Sequence, residues 1–357
     1  MREDRLAALE QAVALAFGNQ TRLTTRQALA GDASTRSYER IWLSGSSAPK
    51  TAVVMWLADR GVSISSDELA VLPETLTELP YVNVYRFLQR IGVDVPLIYA
   101  DCSSQGLLLL EDVGDLNLWE TVSAASHEKE VIEWFCRAVD QLVALQLRGA
   151  SQKSSECIAF QQNFDARLYL WECHHFLEWG LERRIRHPLP RAEQQALDEE
   201  FRVLADRLDA EKRFLAHRDY HAWNLFVQPP ARLRVIDFQD ALLATPAYDL
   251  ATLLGDRDTP SVVTPLREEA LLRYYLERWH QEGGPTLDAK EFIQTYRLCA
   301  LQKALKVVGR FHYLAEAKQK PQYLRYIPAT LRQIRRLLPF FPEFPAIATV
   351  IQRYFPE

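Results

Sequence analysis

Apolar positions along this chain follow two periods, and the change from one to the other divides it. Leu6, Leu9, Val13 and Phe17 stand three or four residues apart among Glu, Arg and Gln, the spacing of an amphipathic helix. Short β-rich runs come next, at residues 25–29, 37–43 and 51–57, separated by turns rich in Gly, Ser and Pro. A helix over 81–91 stops at Gly92, residues 93–100 lead into a further strand, and 106–115 read as a buried strand ending in an acidic, Gly-punctuated turn. From Leu116 onward the period is helical. Ile132, Phe135, Val139, Leu142 and Val143 form one apolar face, and Leu197, Phe201, Leu204 and Leu208 another. Further helices are predicted over Pro265–Gln281, 289–318 and 323–337, with a last short one after Pro339, Pro342 and Pro345. The pattern predicts an α+β chain of two lobes, a small strand-rich N-lobe (residues 1–113) and a large helical C-lobe (114–357).

Composition narrows the class. A chain of 357 residues, 48% hydrophobic and 25% charged, can bury two ordinary cores. A formal charge of -5 provides no basic field for nucleic acid, and the cluster Arg332, Arg335 and Arg336 reads as a solvated helix face. The five cysteines, Cys102, Cys136, Cys157, Cys173 and Cys299, lack metal-ligand spacing and fit buried thiols in a reducing cytoplasm. With no charged-then-apolar leader and no apolar run of bilayer length, the expected protein is cytoplasmic, free of membrane and monomeric.

The densest chemistry lies between His217 and Asp240. An acid, Asp219, is followed five residues later by Asn224. Two β-rich runs, Leu225-Phe226-Val227 and Leu233-Arg234-Val235-Ile236, flank a Pro-rich turn and predict a hairpin that delivers Asp237 beside Asn224. Phosphoryl transfer from ATP needs positioning and charge neutralisation. On that chemistry Asp219 orients the attacking hydroxyl and accepts its proton, while Asn224 and Asp237 hold Mg2+ against the phosphates. The bland alternative is that all three were chosen for turn geometry. In a small-molecule kinase of this design the adenine edge would pair with backbone from Glu111 to Val113.

These residues resemble the aminoglycoside phosphotransferase and choline kinase superfamily, and within it most of all the N-acetylmuramate/N-acetylglucosamine anomeric kinases of bacterial cell-wall recycling. The likeness also rests on residues 31–38, 53–55, 107–114, 235–241, 248–250 and 301–326, so it spans nearly the whole chain. It implies a bilobal protein-kinase-like fold, ATP and Mg2+ as cofactors, and a sugar 1-phosphate as product. By the same resemblance Asp219 is the catalytic aspartate, Asn224 and Asp237 are metal ligands, and Asp249 braces the catalytic loop. The turn holding Ser34, Thr35 and Arg36 takes the place of the loop over the nucleotide phosphates. Two features depart from the common pattern. The third strand, Thr51 to Leu57, has no Lys, and the helix after it has no Glu to pair with one. Arg36 and Arg40 are the nearest substitutes, unless they are solvated strand residues. Trp223 stands in the catalytic loop, either stacking on a sugar or packing under the loop.

For the acceptor, Phe164, Trp171, His175, Phe176 and Trp179 surround Glu172 on one helical stretch. They form either a sugar site or simply core. His221, Trp223 and Asp240 are further candidates for substrate contact, and His217 for bracing the loop. Asp165, Glu172 and Glu178 leave open a cationic acceptor such as an aminoglycoside or choline, or homoserine. The missing Lys–Glu pair leaves open a nucleotide-binding pseudokinase.

Overall fold

The computed structural model describes residues 2–29, 36–57 and 78–356. In chain order these form α1 (Arg2–Phe17), β1 (Arg22–Leu29), β2 (Ser37–Ser44), β3 (Thr51–Trp56), α2 (Pro80–Arg90), β4 (Ile98–Cys102) and β5 (Leu107–Glu111). Next come α3 (Leu118–Ala124), α4 (Glu128–Ser151), α5 (Ala166–His175), a π-helical turn (Phe176–Glu182), α6 (Arg183–Ile185) and α7 (Arg191–Asp209). Four short strands follow: β6 (Phe214–Ala216), β7 (Leu225–Gln228), β8 (Arg232–Val235) and β9 (Leu242–Ala244). The rest is α8 (Ala247–Gly255), α9 (Thr259–Val262), α10 (Pro265–Gln281), α11 (Ala289–Glu316), α12 (Ile327–Leu337) and α13 (Pro345–Tyr354). The chain is α+β, as its two periods predict.

Two compact units emerge, Met1–Leu79 with Asp94–Asp115 and Phe226–Ile236, and Pro80–Val93 with Leu116–Leu225 and Asp237–Glu357. Compared with a single cut at residue 113, α2 groups with the helical unit and most of the β7–β8 hairpin with the strand-rich one.

In the strand-rich unit an antiparallel sheet runs β1-β2-β3-β5-β4. The alternation of β3 puts Ala52, Val54 and Trp56 on one face, with Leu107 and Leu109 of β5 beside them and Leu9, Ala12 and Val13 of α1 packed across. Each large apolar side chain buried there contributes about 1.5–3 kcal/mol. Strand β8 is fastened to the segment after α2: Val235 N–H donates to the Asp94 carbonyl at 2.7 Å, and Arg232 pairs with the Asp94 carboxylate. The buried Arg234 donates to the Val95 carbonyl at 2.9 Å and to the Glu111 carboxylate.

The helical unit is built around α11, whose buried residues run from Phe292 to Leu314. Gly309 allows its closest approach, since a Cβ there would stand 2.5 Å from the His175 carbonyl oxygen. On α7, Leu197, Phe201, Leu204 and Leu208 are buried as predicted. On α4, Val131 joins Phe135, Val139, Leu142 and Val143 in the core, and Ile132 sits at its margin. The helix expected over 323–337 starts instead at Ile327, because Pro328 is tolerated only in a first turn. Residues Pro321–Tyr326 form a 3₁₀ turn before it. Among the described residues no helix is long and apolar enough to cross a membrane, and all five cysteines are free thiols.

Candidate active site

The site is assembled where the antiparallel pair β6–β9 ends. Ala216 pairs with Leu242, and the chain leaves β6 directly into His217. Arg218 then adopts a left-handed backbone (φ 80°), a strained conformation for a non-glycine residue. Asp249, fully buried on α8, holds it there by accepting the N–H groups of His217 (2.6 Å) and Arg218 (2.9 Å). Burial pushes the Asp249 carboxyl up, against the opposing pull of His217 and those two donors. His217 Nδ1 accepts the Asp219 N–H at 3.3 Å, and Tyr220 Oη anchors the loop by donating to the Ala138 carbonyl at 2.9 Å. Asp249 and His217 therefore both meet the loop backbone.

Asp219 emerges from this bracing with its side chain 38% exposed, and Lys303 Nζ stands 3.5 Å from its carboxylate. Lys303 also donates to the Arg218 carbonyl (3.2 Å) and Tyr248 Oη (3.4 Å), so its position is determined by three groups. Burial pushes the Asp219 carboxyl up, but Lys303, Lys306, His221 and Arg218 together outweigh it and hold the group well below the ordinary carboxylate range. Solvent around the exposed carboxylate damps that pull without reversing it. The Lys303 ammonium is pushed down, first by burial and then by Lys306.

Asn224 donates its amide to the Asp219 carbonyl at 3.0 Å, which turns Oδ1 to the opposite edge of the amide. Asp237 is left-handed (φ 64°), and the Gln239 amide donates to both Asp237 Oδ1 and Asp240 Oδ2 at 3.0 Å. Two carboxylates clamped on one amide repel each other, and a divalent cation would relieve that repulsion. Oxygen donors of this kind suit Mg2+, which binds through one or two carboxylates and takes its other ligands from phosphates and water. Among the described residues no three His, Cys, Asp or Glu side chains converge, so an ion here would depend on phosphate oxygens.

Other expected site residues have different surroundings. Glu172 is wholly buried, and its oxygens meet Gln302 Nε2 (2.8 Å) and Lys306 Nζ (2.9 Å), with Arg218 at 4.0 Å. It positions α11 and is not open to a sugar, a correction that follows from the cost of burying an unpaired carboxylate. Trp223 stacks on Trp119 of α3 (4.9 Å between centroids) and carries Arg257 at 5.1 Å, so its ring packs against α3. His221 is buried beside it, its Nδ1 without a hydrogen-bond partner among the described residues. Burial and then Arg257 push its imidazole down to about 4. His175 lies with Trp171 (5.6 Å) and Tyr313 (5.5 Å).

In the strand-rich unit Arg40 is no free cation. Its guanidinium grips Asp112 through Nε (2.7 Å) and Nη2 (2.9 Å) and meets Asp115 through Nη1 (2.7 Å). Glu111 gives its N–H to the Leu97 carbonyl (2.8 Å) and its carboxylate to Arg234; Val113 is buried just beyond the strand. Arg36 immediately precedes β2, and Ser34 and Thr35 lie outside the described residues. The sequence reading missed Lys303 and Lys306, although Gln302, Lys303 and Lys306 interrupt an otherwise apolar stretch of helix. Buried polar residues in such a stretch demand partners, and that was the available signal.

The Phosphotransferase enzyme family profile matches residues 25–289. The N-acetylmuramate/N-acetylglucosamine kinase of Caulobacter vibrioides is 29% identical over 328 residues, 85% of each chain. The Pseudomonas putida enzyme of the same name is 28% identical over 274 residues, 76% of each chain. Among solved structures, choline kinase from Cryptosporidium parvum Iowa II superposes with a TM-score of 0.62 at 10% identity, covering 98% of this chain and 97% of that one. ADP-bound aminoglycoside phosphotransferase APH(2'')-Ib gives 0.54 at 15%, covering 88% and 95%. At those identities the structural likeness is one of fold.

Proposed function

We propose that this chain, which belongs to the phosphotransferase enzyme family and phosphorylates a hydroxyl acceptor, moves the γ-phosphoryl group of ATP to the anomeric hydroxyl of N-acetylmuramate, N-acetylglucosamine or a related hexose. The observation that carries the reading is the braced Asp219 carboxylate facing Lys303, in a chain similar along most of its length to kinases named for those two sugars.

Asp219 accepts a hydrogen bond from the attacking hydroxyl and aims its lone pair. Held below the usual carboxylate range, it is ionised at every workable pH but is a weak base. That suits a loose transition state, in which the proton leaves late, and an anomeric hydroxyl, which is more acidic than an ordinary alcohol. Lys303 supplies positive charge beside the transferring group, where the third strand offers none. Asn224 Oδ1 and Asp237 would hold Mg2+, with Gln239 keeping Asp237 and Asp240 in register; the ion, when bound, neutralises phosphate charge. Glu111 to Val113 remain the proposed adenine edge, and Ser34 to Arg36 the proposed phosphate turn. The product would be a sugar 1-phosphate of cell-wall recycling, made in the cytoplasm. On α5, Asp165 is engaged as the N-cap, accepting the Leu168 N–H, and Glu172 is buried, which disfavours a cationic acceptor.

A panel of sugars with ATP and magnesium, followed by phosphorus NMR, tests the reading. An anomeric phosphate resonance with N-acetylated hexosamines is expected, and Asp219→Asn should abolish it while ATP still binds. Near-normal turnover by that variant would remove Asp219 from the chemistry.

A further inference from the structure

Helix α11 carries Lys303, Lys306, Arg310 and Tyr313 at intervals of three or four residues, one continuous stripe along its face. The stripe begins at Asp219, 3.5 Å from Lys303, and continues to Lys306, which pairs with Glu172 at 2.9 Å. Arg310 comes next, seven residues and about 10 Å of helix beyond Lys303. Its guanidinium lies 5.2 Å from the Tyr313 ring centroid, and among the described residues it has no carboxylate at ion-pair distance. Lys303 and Lys306 are thus each paired with an acid, and Arg310 is not. The aromatic walls beyond Arg310 are the rings of His175, Trp179 and Tyr313, with Trp179 and Tyr313 edge to face at 4.9 Å. His175 Nε2 is buried there with no hydrogen-bond partner among the described residues. Burial, then Arg310 and Lys306, push that imidazole down to about 4, so it is neutral at working pH and adds no charge to the stripe.

We infer that this stripe receives a carboxylate on the acceptor sugar, and that Arg310 is the residue selecting an acidic amino sugar over its neutral counterpart. The inference rests on the sugar-kinase reading and deepens it. With the reacting hydroxyl at Asp219, a hexose ring and a short acidic arm span the distance to the uncompensated charge. Of the two sugars in the relatives' name, N-acetylmuramate carries such an arm, a lactyl ether, and N-acetylglucosamine carries a hydroxyl at that carbon. A planar guanidinium grips a carboxylate through two parallel N–H bonds, which an ammonium cannot do. The aromatic rings then face the apolar side of the sugar or its acetamido methyl.

The test is the ratio of kcat/KM for N-acetylmuramate over N-acetylglucosamine, in wild type, Arg310→Gln and Arg310→Lys. Removing the charge-assisted hydrogen bonds with Arg310→Gln should lower the ratio by roughly ten- to a hundredfold, mainly through KM for the acidic sugar. Arg310→Lys, which keeps the charge without the fork, should recover part of it. If Arg310→Gln shifts both sugars equally, the selection role fails and the sugar-kinase reading stands. If wild type phosphorylates neither sugar, that reading fails and the selection role falls with it.

Discussion

Two clusters of opposite charge, one in each compact unit, are put together differently. In the strand-rich unit a single Arg40 faces Asp112 and Asp115, so cation and acids close on each other. In the helical unit Lys303 meets Asp219, with Asp256 also acting on it, and Lys306 meets Glu172, while Arg310 has no carboxylate at ion-pair distance among the described residues. The first balance is a structural lock, with Asp112 and Arg40 almost out of solvent. The second is the cluster proposed above to receive an anion. The difference bears on the missing third-strand lysine. Arg40, one of the two arginines expected to replace it, is already paired with acids, while the charge beside the Asp219 carboxylate comes from a helix about eighty residues after it.

Lys303→Met attacks the open cluster directly and should have the largest effect. Losing one pre-positioned charge beside the transferring phosphoryl group should lower kcat by about a hundredfold. The sign for pH follows from the cause. Positive neighbours hold the Asp219 carboxyl down, so removing the nearest lets it rise toward the ordinary carboxylate value. Asp219 stays ionised across the workable range in wild type, so an acid limb owed to it should appear only in the variant. A variant profile as flat on the acid side as wild type would mean that Lys303 does not control the ionisation of Asp219.

Glu172→Gln sharpens the same cluster by separating support from ligand binding. The carboxylate is fully buried on Lys306 and Gln302, so its removal should cost about 1–3 kcal/mol in thermal or denaturant unfolding. Acceptor KM should change little next to the stability loss. A raised KM at unchanged stability would instead return Glu172 to the sugar site.

Why the catalytic loop could be read from sequence and this cluster could not is a matter of range. Asp219 and Asn224 are five residues apart, and the β7–β8 hairpin is local, so spacing alone carries their geometry. The strands and most helices were legible for the same reason, through periods of two and 3.6. Lys303 meets the Arg218 carbonyl across 85 residues, and Gln302 meets Glu172 across 130. Periodicity says nothing about such pairings. It marks Lys303 and Glu172 only as polar residues among apolar ones. Glu172 was accordingly read as a ligand-facing acid when its partners lay on α11. The partners of Arg40 were hidden for the same reason, since the acids it meets follow β5, more than seventy residues later.

Arg40→Gln probes the closed cluster and should have the smallest effect. Asp115 is 80% exposed, so its pair with Arg40 is worth little, and solvent takes over when the guanidinium is gone. Asp112 is the costly partner, since its side chain is 7% exposed and accepts two guanidinium bonds. It keeps the Gly114 N–H at 3.0 Å, however, and that bond continues to satisfy one oxygen. The net loss should be about 1 kcal/mol, seen as a small drop in melting temperature. Burial pushes the Asp112 carboxyl up while Arg40 and the Gly114 N–H pull it down, and the pull prevails. Without Arg40 it rises, so the stability this group contributes above its unfolded pKa is lost at a less acid pH than in wild type. KM for ATP should move less than threefold, well below the effect of one charge-assisted hydrogen bond. A tenfold rise would instead mean that Arg40 leaves its acids for the nucleotide, and the contrast between the two clusters would collapse.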